Sequence, residues 1–190
     1  MAARDYHHGN LRQALLDAAV AEIDEVGLSA MSLRKVAARV GVTHPAASHH
    51  FGDKTGLLTA LAAQGHRMFA DALRASRAAG GDLLDLGVAY VRFAHDHRPL
   101  FEVMFRPELL QTEDAELVAA QAASGAELRG ASGARAGAHQ QRVARGAWSF
   151  VHGFTTLWLA GNLEVQTLPE AIAEFRRLAR TFTALGLDQR

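Results

Sequence analysis

Apolar residues recur along most of this chain at the three- and four-residue spacing of helices with one buried face. In the first such stretch, Leu11, Leu15, Ala19 and Ile23 share a common stripe over residues 10–26. Further helices are predicted over residues 55–77, 83–93, 99–105, 113–128, 139–163 and 169–185. The pattern therefore predicts an all-α protein.

Glycine and proline mark several predicted helix ends. Gly80 is expected to stop the helix over residues 55–77, Pro107 to close the short helix that begins at Pro99, and Gly186 to stop the last one. Residues 130–138 are rich in glycine and alanine and are predicted to form a loop. A phosphate-cradling loop is not favoured there, because no strand precedes the glycines and no Gly-Lys-Ser/Thr follows them.

Residues 32–54 contain two short predicted helices joined by a tight turn. Leu33, Val36 and Val40 form one narrow apolar stripe, and Ser32 is a suitable N-cap for that helix. Gly41 falls where the chain must turn sharply, since glycine adopts positive φ at little steric cost. This is the layout of a DNA-reading helix-turn-helix, although a helical corner in an all-α core would also fit the stripe and the glycine.

The charge of this stretch favours contact with phosphates. The chain has 20 basic and 20 acidic residues, so it is formally neutral. Both of its lysines, Lys35 and Lys54, fall in this stretch, with Arg34 and Arg39 against Asp53. A neutral chain with one basic corner suits a protein that touches phosphates in one place, while such a small excess is also typical of a solvated face.

Residues 9–61 closely resemble the N-terminal DNA-binding domain of TetR-type transcriptional regulators. The resemblance rests on the lead from Gly27 to Ser32, on the two short helices, and on the segment from His49 to Leu58. The later run from Trp148 to Gly153 resembles the subgroup whose C-terminal domain carries a Trp-His-Gly motif. The resemblance implies an N-terminal three-helix helix-turn-helix head, residues 1–52, and a C-terminal helical body for effector binding and dimerisation, residues 53–190.

A DNA interface is predicted on both short helices. Backbone amides at the start of the first would hold a phosphate, the recognition helix would face the groove, and Lys54 would clamp a second phosphate. The predicted DNA-binding residues are Ser32, Leu33, Arg34, Thr43, His44, Pro45, Ala46, His49, His50 and Lys54.

Two features modify this interface. Many family members have tyrosine where this chain has Ser48, and serine is too short to make the same phosphate contact. His49 or His50 would carry part of that contact, or would simply be solvated at the helix end. The recognition helix has no arginine or glutamine, so DNA shape or an N-terminal arm with Arg4, His7 and His8 would supply much of the specificity; the arm is equally compatible with disorder.

The last two predicted helices are expected to form a homodimer interface. The penultimate helix carries apolar residues on more than one face and so needs two partners, although both faces could also meet the core of one subunit. The resemblance implies a four-helix bundle built from two helices of each subunit. The predicted interface residues are Arg145, Phe150, Leu157, Trp158, Phe175, Leu178 and Phe182.

A small-molecule effector pocket is also implied by the resemblance. Its predicted lining is mostly apolar and aromatic, with His152 as a polar handle, so a largely apolar effector is expected. Any of these side chains could instead be ordinary core. The predicted lining residues are Phe69, Leu73, Phe93, His97, Met104, Phe105, Trp148, His152 and Phe154.

Composition narrows the class of protein. The chain has no cysteine, no long apolar run that could span a bilayer, and no apolar stretch near its N-terminus, so a cytoplasmic protein without membrane contact is expected. The sequence contains no recognisable catalytic motif, and no cofactor is expected. His95 and His97 are two residues apart, which on a helix directs them apart, so no metal site is predicted.

The sequence therefore predicts a DNA-binding transcriptional regulator, most simply a repressor released by a small effector. Two alternatives remain: an architectural DNA-binding dimer that responds to no ligand, and an all-α ligand-binding protein whose head does not bind DNA. Salt-dependent, sequence-selective DNA binding separates the first function from both alternatives.

Overall fold

A computed structural model describes residues 8–129 and 137–187, and over these residues the chain is helical with connecting turns. The nine α-helices of this part are α1 His8–Ala30, α2 Leu33–Arg39, α3 His44–Phe51, α4 Lys54–Ala78, α5 Leu83–Asp96, α6 Arg98–Met104, α7 Ala115–Arg129, α8 Ala138–Leu159 and α9 Leu168–Leu187. A short 3₁₀ turn, Pro107–Leu109, follows α6. The all-α prediction is confirmed.

The helix ends agree with the sequence in most places and differ in some. Positive φ values at Gly41 (72°) and Gly80 (83°) mark the predicted turns. The helix α1 continues to Ala30 across a break at Gly27, where φ is 80° and ψ is 157°. Gly186 does not stop the last helix as expected, because α9 runs to Leu187. The predicted loop over residues 130–138 lies mostly outside the described residues.

The chain forms two compact units. The first contains residues 8–66 and 98–121, and the second contains residues 67–97, 122–129 and 137–187. Both units are therefore built from separated stretches of sequence, and α4 and α7 each contribute residues to both.

The first unit packs α1 against α2, α3 and α6. Its core is a set of aliphatic side chains with at most 1% of their surface exposed: Leu15, Leu16, Val36, Leu57, Leu58 and Leu61. Burial on this scale is the main favourable term for such a small helical unit. The close spacing of α2 and α3 depends on small residues, since Ala37 and Ala47 are also buried.

The second unit packs α5 against α8 and α9. Asp82 begins α5 with a capping box, in which its Oδ1 accepts from the Asp85 backbone N–H at 2.9 Å. Asp85 also accepts from Arg176 of α9 at 2.7 Å. A Cβ at Gly87 would lie 2.4 Å from the Phe175 ring, so the missing side chain at Gly87 is what lets α9 approach α5.

Candidate nucleic-acid interface and effector region

The two helices of the predicted helix-turn-helix both start at hydroxyl N-caps. Ser32 Oγ accepts from the Lys35 backbone N–H at 3.3 Å, and Thr43 Oγ1 accepts from the Ala46 backbone N–H at 3.4 Å. Each hydroxyl accepts from a first-turn amide, and the Ala46 N–H also reaches the Thr43 carbonyl at 3.1 Å. The turn between the helices is fixed by Gly41, so α2 and α3 are held as one motif.

One side of α3 faces inward and the other is open to solvent. Ala47 and Phe51 are buried against the first unit's core. The N-terminal residues of α3 include Pro45 and Ala46, whose small side chains permit a close approach to a duplex, beside the exposed imidazole of His44. Among the predicted DNA-binding residues of this helix and its cap, Thr43, His44, Pro45 and His49 are exposed, while Ala46 and His50 are half-buried.

Three of the predicted phosphate-binding residues lie at the start of α2, and they differ in exposure. Leu33 is 5% exposed, so its side chain belongs to the core and offers no contact to a phosphate. Arg34 is exposed beside it, and Ser32 is occupied as the N-cap. The structure therefore brings Ser32, Leu33 and Arg34 together, with Arg34 as their exposed cation.

A buried carboxylate neutralises part of the positive charge of this region. Glu22 of α1 is 3% exposed and binds the guanidinium of Arg39. Arg39 also pairs with Glu25, and these carboxylates raise the pKa of Arg39. Lys35 Nζ lies 3.7 Å from Glu22 Oε1. The sequence analysis missed Glu22, although a carboxylate one position from Ile23, on the apolar side of a predicted helix, was the available signal.

Lys54 is engaged by the protein itself. Its Nζ donates to the carbonyl oxygens of Leu28 and Ser29, each at 3.2 Å. The ammonium that is predicted to bind a phosphate therefore already has two hydrogen-bond partners within the protein.

The predicted effector residues fall in both compact units. In the first unit, Met104 is buried and Phe105 is half-buried, with the Phe105 ring 5.9 Å from that of His66. In the second unit, Phe69, Leu73, Phe93 and Phe154 are buried, and His97 packs on Phe93 with a ring separation of 4.9 Å. Each unit thus places its own share of these residues in or beside its core, except Trp148, which is 39% exposed.

A polar array crosses the aromatic part of the second unit. Tyr90 has 0% of its surface exposed, and its hydroxyl lies 2.7 Å from Nδ1 of His152. The indole of Trp148 hydrogen-bonds the same hydroxyl. Phe69 packs edge-on against Tyr90 with ring centroids 4.9 Å apart. Tyr90 was missed by the sequence analysis, because nothing in the local pattern separates it from ordinary core.

The protonation states in this array follow from donor chemistry. An indole N–H can only donate, so Trp148 donates to the Tyr90 oxygen, and the direction of the bond between that hydroxyl and His152 Nδ1 is set by the His152 tautomer. Burial raises the pKa of Tyr90 well above its usual value, which keeps the phenol neutral. Burial lowers the pKa of His152, which favours the neutral imidazole.

The predicted dimer residues divide into buried and exposed groups. Trp158 is 6% exposed and donates from Nε1 to the Val165 carbonyl at 3.1 Å, while Phe175 is 3% exposed. Both therefore fill the protomer's own core. Phe150 and Leu178 are half-buried, Arg145 is exposed, and Leu157 and Phe182 are 48% and 59% exposed.

A mostly apolar groove of about 710 Å³ lies on the second unit. It is bounded by the start of α5, by α8 and by α9. Its lining includes the exposed side chains Leu83, Val143 and Phe182 together with the half-buried Phe150.

The described ranges hold neither a metal-ligand cluster nor a membrane span. Within residues 8–129 and 137–187, no group of three or more His, Cys, Asp or Glu side chains could hold a metal ion. No described helix is long and apolar enough to cross a membrane. His95 bonds Asp96 at 2.9 Å and stacks on Trp158, so its ring is engaged by neighbours within the chain.

Two family models match the chain. Residues 15–61 match the family described as bacterial regulatory proteins, tetR family. Residues 83–182 match the family described as tetracyclin repressor-like, C-terminal domain. Together the matches cover α2 and α3 and most of the helices of the second unit.

One known transcriptional regulator is similar to part of this chain. The HTH-type transcriptional regulator BetI of Burkholderia thailandensis is 49% identical over 49 residues, which are 26% of this chain and 25% of BetI. The chain therefore matches only about a quarter of that relative's length.

Solved structures match nearly the whole chain. A Rhodococcus sp. RHA1 protein of unknown function superimposes with a TM-score of 0.73 and 33% identity, over 92% of this chain and 98% of that one. The TetR family transcriptional regulator PfmR from Thermus thermophilus has a TM-score of 0.60 and 20% identity, over 85% and 94% of the two chains, and shows the shared fold. The chain belongs to the TetR family of bacterial regulatory proteins.

Proposed function

We propose that this protein is a sequence-specific DNA-binding transcriptional regulator, a repressor that a small and largely apolar effector releases from its operator. The observation that carries the proposal is the helix-turn-helix itself, in which two hydroxyl-capped helices expose Thr43, His44 and Pro45 on one side of α3. Residues 1–52 serve as the DNA-binding domain and residues 53–190 as the effector and dimerisation domain.

The DNA contacts follow from exposure. Arg34 and the backbone at the start of α2 bind phosphate, and the N-terminal residues of α3 enter the major groove. His49 is the exposed side chain next to Ser48, which is half-buried and too short to reach a phosphate as tyrosine would. With no arginine on α3 to read guanine, much of the sequence preference comes from DNA shape.

The protein acts on DNA as a homodimer. The exposed side chains of Leu157 and Phe182 support this, together with the apolar groove on the second unit. Apolar side chains in these positions favour burial against a second copy, which removes their surface from water. A two-fold dimer would read two half-sites about 34–36 Å apart or a multiple of that spacing.

The effector binds among the aromatic residues of the second unit. The array of Trp148, Tyr90 and His152 supports this, because it places oriented polar groups within apolar surroundings. Two of its members, Trp148 and His152, lie in the run from Trp148 to Gly153 that resembles the Trp-His-Gly subgroup, and this resemblance supports membership of that subgroup. An effector that favours one arrangement of the dimer would lower operator affinity through that difference in binding.

The first experiment measures DNA selection by the purified protein. Random duplex DNA is enriched for bound sequences, and the winning site is titrated at several salt concentrations against unrelated duplex. The proposal expects a palindromic site, competitor-resistant binding and a linear fall of log affinity with log salt. Equal binding to all sequences at every salt concentration would reject it.

Arg34→Ala is the contact variant, and Arg177→Ala on α9 is its matched control, since both remove an exposed arginine. Arg34→Ala should weaken operator binding, whereas Arg177→Ala should leave it unchanged. Lys54→Ala is a poor contact variant, because its ammonium bonds two carbonyls of the protein. Once an operator is known, small apolar and aromatic compounds are screened for its release.

A further inference from the structure

Glu22 of α1 places a buried carboxylate against two cations of α2. Its side chain is 3% exposed, and its Oε2 accepts from Nε of Arg39. Lys35 Nζ lies 3.7 Å from Oε1 of the same carboxylate. Lys35 and Arg39 are four residues apart in α2, so their side chains share the face of the helix that meets Glu22. One carboxylate is therefore paired with two cations of the helix-turn-helix.

Burial makes Glu22 a stronger competitor for these cations than a surface carboxylate would be. Water and salt screen exposed ion pairs, whereas partly buried pairs are screened much less. Glu22 Oε1 accepts no hydrogen bond from the described residues, so the charge of Lys35 is what compensates it. The side chains of Lys35 and Arg39 remain 58% and 34% exposed. A DNA phosphate can therefore reach both cations, but only in competition with Glu22.

This pairing decides how much positive charge α2 offers to DNA. The helix contains three cations, Arg34, Lys35 and Arg39, and no carboxylate. Glu22 faces two of them, and the exposed Glu25 also pairs with Arg39. Arg34, the proposed phosphate contact, is exposed and is not part of this network. Sequence-independent attraction to DNA grows with the number of cations that neutralise phosphates, so the carboxylates of α1 limit it.

We infer that Glu22 is a specificity-determining residue, because its carboxylate restrains Lys35 and Arg39 and so weakens binding to DNA of any sequence. Specificity is a ratio of two affinities. Operator binding also gains from base contacts and from DNA shape, which do not depend on Glu22, whereas non-specific binding depends almost entirely on charge. The restraint therefore raises the ratio. This inference rests on the proposed DNA-binding function, but its main readout is binding to unrelated DNA.

Glu22→Gln is the test variant, since it removes the charge but keeps the shape and an oxygen that accepts from Arg39. Asp71→Asn is the matched control. It removes an exposed carboxylate, paired with Arg74 of the second unit, and changes the net charge of the chain by the same amount. Each protein is titrated with the enriched operator and with an unrelated duplex of equal length, over a series of salt concentrations. Thermal unfolding without DNA shows whether each variant is folded.

Glu22→Gln should bind the unrelated duplex about three- to tenfold more tightly than the wild type, with a log affinity that falls more steeply with log salt, by up to about 1 in slope. Its operator affinity should rise less, so its selectivity should fall. Asp71→Asn should match the wild type in both titrations. A merely structural role predicts weaker binding to both duplexes and no steeper slope. That result, or unchanged binding of Glu22→Gln to the unrelated duplex, would overturn the inference.

Two further variants trace the effect to the restrained cations. The triple variant Glu22→Gln, Lys35→Gln, Arg39→Gln should lose the gain in affinity, and a gain that persists would reject the assignment. If Glu22→Gln does not fold, Lys35→Gln tests the same restraint from the other side. It should lower the salt slope by less than half of the change of about 1 expected for Arg34→Ala, and an equal loss would overturn the inference.

Failure of the proposed function gives a different result. If the wild type binds the enriched site no better than the unrelated duplex, the regulator proposal fails. Tighter and more salt-sensitive binding of Glu22→Gln to the unrelated duplex would still support the restraint of Lys35 and Arg39. If the wild type selects an operator and Glu22→Gln binds both duplexes as the wild type does, the regulator proposal stands and the inference about Glu22 fails.

Discussion

The Tyr90 hydroxyl and Nδ1 of His152 share a hydrogen bond of 2.7 Å, which joins α5 to α8 inside the second unit. The phenol lies in a fully buried position, where an unmade hydrogen bond is costly. The two residues stand 62 positions apart in the sequence, so the bond holds together distant segments.

Tyr90→Phe should destabilise the protein by about 1–2 kcal/mol, because His152 Nδ1 and the Trp148 indole both lose their partner. Urea unfolding measures this loss. In a His152→Leu background the same change should cost less, since part of the bonding is already gone. A cost within ~0.3 kcal/mol of zero in both backgrounds would show that the array contributes nothing to stability.

Acid should weaken the fold through the buried His66 and the half-buried His152. Burial lowers the pKa of His66, against the opposing effect of the Met104 carbonyl, and burial lowers the pKa of His152. Protons therefore bind the unfolded chain more readily than the folded one. The contribution of these residues should be level above about pH 6.5, the pKa of an unperturbed histidine, and should fall as the pH drops below it.

The measurement is the free energy of unfolding between about pH 7.5 and 5.5, a range that spans the titration of an ordinary histidine, in the wild type and in a His66→Gln, His152→Gln double variant. The double variant should lose less stability over this range. His44→Gln, which changes an exposed histidine of α3, is the control and should follow the wild type. Parallel curves for all three proteins would contradict the assignment to His66 and His152.

Gly56→Ala should severely destabilise the first unit. The new Cβ would lie 1.9 Å from the Phe51 carbonyl oxygen, a backbone atom that cannot rotate away. Thermal unfolding should occur at a much lower temperature or lose its cooperativity. Gly146→Ala is the matched change, because its Cβ meets nothing within 4 Å, and it should be neutral or stabilise by up to about 1 kcal/mol. Similar unfolding of both variants would refute this account.

Arg39→Met should lower the unfolding temperature, because it leaves the buried Glu22 carboxylate without its guanidinium partner. A drop of about 4 °C or more is expected for a unit of this size. Adding Glu22→Met should recover most of the loss, since the pair is then replaced by apolar side chains. If the double variant is no more stable than Arg39→Met, desolvation of Glu22 is not the cause.

Leu157→Glu should shift the protein from dimer to monomer, because it puts a charge into the surface expected to meet a second copy. Sedimentation at several protein concentrations measures the shift, and operator affinity should fall with it. Val118→Glu is the control, since Val118 is equally exposed, at 48%, on α7 of the first unit. A Leu157→Glu protein that remains a tight dimer would place the interface elsewhere.

Features that depend on residues close together in the chain could be predicted from the sequence. The stripe of Leu33 and Val36 and the turn at Gly41 depend on residues close together in the chain, and all three are as expected. The hydroxyl of Ser32 likewise acts within its own helix start.

Contacts between distant residues could not be predicted in the same way. Lys54 meets Leu28 across 26 positions, and a sequence pattern carries no signal for that pairing. The apolar positions of α8 cover several faces, so the pattern could not separate the buried Trp158 from its exposed neighbour Leu157. The same holds for the proposed dimer surface and effector lining, because burial there is set by the neighbouring helices.

The composition of the first unit has a consequence for protein engineering. The DNA-reading helices share their core with α6, since α1 packs on α6 and Leu100, Val103 and Met104 are buried. A chimaera that grafts only the N-terminal residues onto another regulator would uncover the side of α1 that α6 normally shields. If residues 98–121 were transferred together with the N-terminal residues, α6 would still cover α1. The part of this protein that can be transferred as a folded unit is therefore discontinuous in sequence.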